Sequence, residues 1–159
     1  MTAKWQLAVP GALLAALLVS LVIFVTVPQQ LERRLLIFPD TAGGSRHYEW
    51  HLVPRAAERF EQLEAMTEEM LLGPVALGAV PFLDPDTRIR SMVLRDDRIL
   101  YLDFSPEIMF DRGGGERGLD GVTGLVQENL LHNFRWLDEV VVLIDGQLPE
   151  VPRFRGNNR

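Results

Sequence analysis

The stretch HYEWH sets His47, Glu49 and His51 two residues apart. On a strand all three side chains share one face, with about 6.5–7 Å between successive positions. Two histidines and a carboxylate are zinc-type ligands. The spacing is not that of H-E-x-x-H, however, which needs helical i, i+4 geometry. The sober alternative is a solvated face opposite a buried Tyr48, Trp50 and Leu52, and that is the reading preferred here. His132 falls on a helical stretch near the edge of an apolar stripe, as a surface or edge histidine. Ser105 ends an extended run without a G-x-S-x-G around it, and a nucleophilic serine needs a base and an oxyanion hole. It reads as a turn residue whose hydroxyl satisfies a backbone N–H. Asp40, Asp84 and Asp86 lie beside prolines and read as turn residues too.

Gly113, Gly115 and Gly118 in RGGGERGLDG match G-x-G-x-x-G. In a dinucleotide fold the first glycine directly follows a strand and opens a parallel β-α-β crossover. Here SPEIMFDR intervenes after Phe104, and Asp138 and Glu139 precede their strand where a ribose-binding acid should end it. The stretch reads as an exposed, mobile loop over 112–118 leading into a helix capped by Gly118 or Asp120. No catalytic, cofactor-binding or metal-binding set is expected, and the chain is not expected to be an enzyme.

The elements that would position these residues follow from periodicity. RRLLIFPD reads as a buried strand ended by Pro39, and HYEWHLV alternates by twos. Pro54 opens a helix whose Phe60, Leu63, Met66 and Met70 recur at helical spacing. Gly73-Pro74 closes it, with Leu71 and Leu72 packing inward. RIRSMVLR and RILYLDF form a hairpin around Asp96-Asp97. A second helix carries the stripe Leu119, Val122, Val126, Leu130, Phe134 and Leu137. EVVVLID is a strand ended by Asp145-Gly146. The aperiodic loop VALGAVPFL between helix and hairpin either covers the core or presents Val80, Phe82 and Leu83 to a partner. The order β-β-α-β-β-α-β predicts an α+β two-layer sandwich, both helices on one face of a small mixed sheet. A flexible tail follows at 148–159.

The run 7–27 has no charge and is long enough to cross a bilayer, which takes about 20 helical residues. Lys4 and Trp5 precede it as interfacial anchors. The run is longer than a signal-peptide core and ends without an A-x-A-like step. An uncleaved single-pass helix is expected, with residues 1–6 as its flank and 28–32 as a linker reaching at most about 17–18 Å. Without cysteine there is no lipidation at that residue. Lys4 on one side against Arg33, Arg34 and Arg46 on the other favours a cytoplasmic domain, although large domains translocate regardless of such counts. All 22 acidic residues and all but Lys4 of the 16 basic ones lie beyond residue 27, a net charge of −7. Such a domain is a poor partner for nucleic acid, and an anionic headgroup surface would also repel it.

LLIFPD, then LLGP, then PDTRIRSMVLRDDRILYLDFS, then a helix and VVVLIDG, in that order, resemble the GerMN domain of bacterial sporulation, spore-germination and other envelope proteins. The resemblance covers about 33–147, in a single copy behind the anchor, and its specificity lies in the ordered series. It implies a small α/β fold similar to ring-building modules. It further implies a non-enzymatic interaction or assembly module outside the cytoplasmic membrane. The expected partners are envelope or membrane proteins, self-association included. An envelope enzyme or ligand-binding protein, for example one acting on peptidoglycan, is the competing reading.

Overall fold

The computed structural model describes residues 3–26, 31–41, 45–110 and 118–149. It divides into two units, 1–30 and 31–159. The first is one helix, α1 (Ala3–Thr26), which tolerates Pro10 in its early turns. Its side chains are described at position 10 and at 12–22. Among the described residues no helix is long and apolar enough to cross a membrane; the run 7–27 lies partly outside them.

The second unit runs β1 (Leu31–Pro39), β2 (Arg46–Pro54), α2 (Arg59–Leu72), β3 (Ile89–Arg95), β4 (Ile99–Phe104), a short 3-10 turn (Pro106–Met109), α3 (Leu119–Asn133) and β5 (Glu139–Ile144). The expected order of strands and helices is present, but not as one sheet. β1 and β2 form an antiparallel pair, while β3, β4 and β5 form a separate sheet, antiparallel at β3–β4 and parallel at β4–β5. The physical reason is visible on α3. Its Asn129 and Asn133 side chains bond the Ile37 and Leu35 backbone of β1. Its Gln127 donates to the Val140 carbonyl of β5 at 2.9 Å. Amide side chains of a helix thus stand where a further strand would have joined the two sheets.

The core is built as the periodicities predict. Leu63, Met66 and Met70 of α2 are buried, as are Val122, Val126 and Leu130 of α3. α3 ends at Asn133, so the last two members of its predicted stripe, Phe134 and Leu137, lie beyond it, buried nonetheless. Asp96 and Asp97 both take positive φ, 51° and 56°, and Arg98 N–H bonds the Arg95 carbonyl at 3.0 Å. That mirror-image turn suits the right-handed twist of a hairpin. Gly73 caps α2 at φ +79°, a region open to glycine at little cost.

Four expectations are corrected. Pro54 ends β2, and α2 begins five residues later at Arg59. Phe60 and Leu72, assigned to the core, are 37% and 79% exposed. Phe82 and Leu83 are buried core residues, and Val80 is half-buried with its N–H bonded to the Pro39 carbonyl. They therefore close the core rather than face a partner; without periodicity, the direction of an apolar loop cannot be read from its letters. The faces of β2 are reversed as well. Tyr48, Trp50 and Leu52 point outward and His51 inward. The register explains this, because His51, Glu49 and His47 pair with Arg34, Leu36 and Phe38. Leu36 and Phe38 are fully buried, and paired residues share a face. The loop predicted at 112–118 lies outside the described residues but for Gly118, the N-cap of α3 at φ +87°. The tail is described only to 149.

Candidate functional site

His51 is the buried centre of the polar cluster that HYEWH announces. Its Nδ1 lies 2.6 Å from Glu69 Oε1 of α2, and its Nε2 lies 3.2 Å from Glu49 Oε1 of the same strand. Nε2 makes no hydrogen bond of acceptable geometry, and the ring rests 5.9 Å from Phe38. Glu49 is committed elsewhere: its two carboxylate oxygens accept the N–H groups of Val75 and Ala76 at 3.0 and 3.3 Å. The cluster therefore ties β2 to α2 and to the loop that follows α2. His47 is half-buried on the same face. Among the described residues no group of three or more histidines and acids is placed to hold a metal ion. A histidine between two carboxylates can shuttle a proton, yet this one is sealed behind the side chains it joins.

Ser105 begins the 3-10 turn after β4. Its Oγ accepts the Arg88 N–H at 3.0 Å. The hydroxyl also donates to Glu107, and together with the Glu107 N–H it holds that carboxyl below the usual carboxylate range. Ser105 is thereby occupied as a turn residue. Asp84 is buried and accepts the N–H groups of Asp86 and Thr87, both at 2.9 Å, through its carboxylate and carbonyl respectively. Asp40 bridges to Ala79. His132 is exposed in the last turn of α3.

Asp103 was not singled out from the sequence. It is 8% exposed, accepts the Gly146 N–H at 2.9 Å, and lies 3.9 Å from Arg90, which also pairs with Asp145. The only signal was a lone acid inside the apolar run LYLDF. Beside it an open hollow of about 410 Å³ is lined by the apolar Pro106, Met109, Leu119, Ile144, Leu148 and Pro149 together with Asp145 and Gln147. Among the described residues Asp145 is the one titratable group on its lining, so no pair of titratable groups converges there. Arg98 and Asp138 form a bidentate pair that holds the hairpin against the start of β5 and keeps Asp138 below, and Arg98 above, its ordinary pKa.

The domain also exposes large apolar side chains. Tyr48, Trp50 and Leu52 are 57%, 66% and 59% accessible. Leu72 at the end of α2, and Val75 and Leu77 on the loop held by Glu49, are exposed, Leu77 completely. That backbone is fixed further by the Thr41 N–H on the Gly78 carbonyl and the Ala79 N–H on the Ala76 carbonyl.

Residues 36–150 match the protein family described as "Germane: Sporulation and spore germination". Among solved structures, the chain is similar to the first GerMN domain of the sporulation protein GerM from Bacillus subtilis, at 22% identity and TM-score 0.53, covering 74% of this chain and 86% of that one. It is also similar to the tandem GerMN domains of the same protein, at 19% identity and TM-score 0.51, covering 76% of this chain and 43% of that one. These likenesses establish the fold. No curated protein sequence matches the chain.

Proposed function

Because the chain belongs to the Germane family, we propose that it is a membrane-anchored, non-enzymatic interaction module of the bacterial cell envelope. The observation that carries this reading is the division of labour among its side chains. Its buried titratable groups, His51, Asp84 and Asp103, are engaged in holding backbone or neighbouring elements. Leu72 at the end of α2, and Val75 and Leu77 on the following loop whose backbone is pinned, stand out from the surface. An apolar ridge on a rigid support suits protein docking, because little conformational entropy is lost when it is covered. The partner-contact role assigned to Val80, Phe82 and Leu83 passes to these three residues, with an envelope protein or a second copy of the chain as partner.

The anchor in this reading is α1. Leu13, Leu14, Leu17, Leu18, Val19, Leu21 and Val22 are all exposed and cover about two thirds of the helix circumference, the rest being filled by Ala12, Ala16 and Ser20. No face between 12 and 22 is therefore charged, a pattern of buried or membrane-spanning helices. The domain then lies on the outer side of the cytoplasmic membrane. A photo-crosslinking residue at position 77, introduced into the full chain in native membranes, should give a discrete adduct that a position such as Glu64 does not. A C-terminal alkaline phosphatase fusion should be active. An adduct at neither position would remove the docking role, and an inactive fusion beside an active cytoplasmic reporter would reverse the orientation.

A further inference from the structure

The register puts these residues of β1 and β2 side by side on the outer face of the pair: Leu31 with Pro54, Arg33 with Leu52, Leu35 with Trp50 and Ile37 with Tyr48, of which Ile37 is buried and Leu35 half-buried. Toward the Leu31 end this face is open, with Leu31, Tyr48, Trp50 and Leu52 all more than half exposed. Glu32 and Glu49 belong to the opposite face, so the two strands put no carboxylate on the outer one; their charges there are Arg33 and, at the far end, Arg46, which pairs with Glu128 of α3 at 3.1 Å. In a domain of net charge −7 that local arrangement stands apart. Tryptophan, tyrosine and leucine flanked by arginine is the composition that settles at the boundary between hydrocarbon and headgroups. Leu31, where the face begins, is also where the domain begins. Five peptide steps separate it from Thr26 of α1, no more than about 18 Å when fully extended.

We propose that this outer face of the β1–β2 hairpin lies against the bilayer interface, with Trp50, Tyr48, Leu52 and Leu31 in the headgroup zone and Arg33 paired with lipid phosphate. The inference rests on the anchoring of α1 proposed above. It sets the orientation of the domain on the bilayer: the outer face of the hairpin is held down on the lipid, and the Glu49-pinned loop is left for a protein partner.

The chain has no cysteine, so single-cysteine variants can be spin-labelled without other changes. Leu17→Cys reports on α1 and Leu52→Cys on the proposed face. Val93→Cys reports on the outer side of the other sheet, where it is 54% exposed. The full chain carrying each label is reconstituted into vesicles of phosphatidylcholine and phosphatidylglycerol. Its collisions with oxygen, which concentrates in lipid, and with a water-soluble nickel complex are then measured. The expected result is a Leu17 label in hydrocarbon, a Leu52 label protected from nickel relative to Val93 and open to oxygen, and a Val93 label in water. A Leu17 label in hydrocarbon with a Leu52 label as nickel-accessible as Val93 overturns the lipid-facing surface and leaves the anchor standing. A Leu52 label shielded from both reagents assigns the face to a protein contact and equally overturns the proposal. A Leu17 label in water removes the anchor and this inference with it.

Discussion

The Asn129 carboxamide sits on the backbone of Ile37 as a neighbouring strand would: its Oδ1 accepts the Ile37 N–H at 2.7 Å and its Nδ2 donates to the Ile37 carbonyl at 2.9 Å. The second Nδ2 proton goes to the Leu125 carbonyl, so the side chain is fully engaged and fully buried. One turn later Asn133 repeats the pattern on Leu35. Four helical residues advance about 6 Å, and two strand residues nearly 7 Å. The two ladders therefore stay in step for two rungs, with the helix running opposite to the strand. Arg34, next to the Leu35 rung, lies over the Phe134 ring at 4.5 Å and donates to the Asn133 carbonyl, a cation where the helix dipole favours one.

Replacing Asn129 by Ala strands a donor and an acceptor of β1 in the core, each worth about 1–3 kcal/mol when left unpaired, so a loss of roughly 2–6 kcal/mol is expected. Asn133→Ala should cost less, because Leu35 is only half-buried. Urea unfolding of the two variants measures both. A change of a few tenths of a kcal/mol for Asn129→Ala would show that β1 finds other partners.

Those asparagines mark the limit of what the letters disclose. The order of strands and helices, the stripe from Val122 to Leu130 and the Asp96-Asp97 turn follow from local periodicity and turn chemistry. Asn129 and Asn133 also had a signal, two amides at i, i+4 alongside that stripe, where asparagine is a poor helix former. Their partner, however, lies ninety-two and ninety-eight residues away, and distant pairings leave no local trace. The faces of β2 failed for a related reason. HYEWHLV alternates two sets that could each be buried, and only the pairing with Leu36 and Phe38 decides between them. The histidines and Glu49 turn inward because Glu69 and the Val75 and Ala76 amides await them.

Glu49→Ala should release the loop after α2. The amides of Val75 and Ala76 lose their acceptor, and their hydrogen exchange should quicken while that of Leu100 and Leu102 in the core stays slow. Equal acceleration at all of them would mean that Glu49 supports the whole domain.

His51→Ala removes a buried ring from between Glu49, Glu69 and Phe38. It leaves both a cavity and an unpaired Glu69 carboxylate that is only one-fifth exposed, for a loss of about 2–3 kcal/mol. Glu69→Gln, which keeps an amide oxygen for Nδ1, should cost distinctly less in the same thermal or urea unfolding assay. Were the two variants equally damaging, the charge on Glu69 would matter more than its hydrogen bond.

Ser105→Ala should be felt in the titration of Glu107. In the folded protein that carboxyl is held below its ordinary pKa, first by the Ser105 hydroxyl and then by its own N–H. A depressed carboxyl stabilises the fold above its unfolded pKa and loses that contribution as pH falls through the folded one. Without the hydroxyl the Glu107 midpoint should rise toward the usual glutamate value, and its share of the acid loss should shrink. Side-chain carbon resonances followed through the acid range measure the midpoint in both proteins. The same variant frees the Arg88 N–H from its 3.0 Å bond, so its exchange should quicken in parallel. A faster Arg88 amide with an unmoved Glu107 midpoint would mean that the hydroxyl serves the backbone alone.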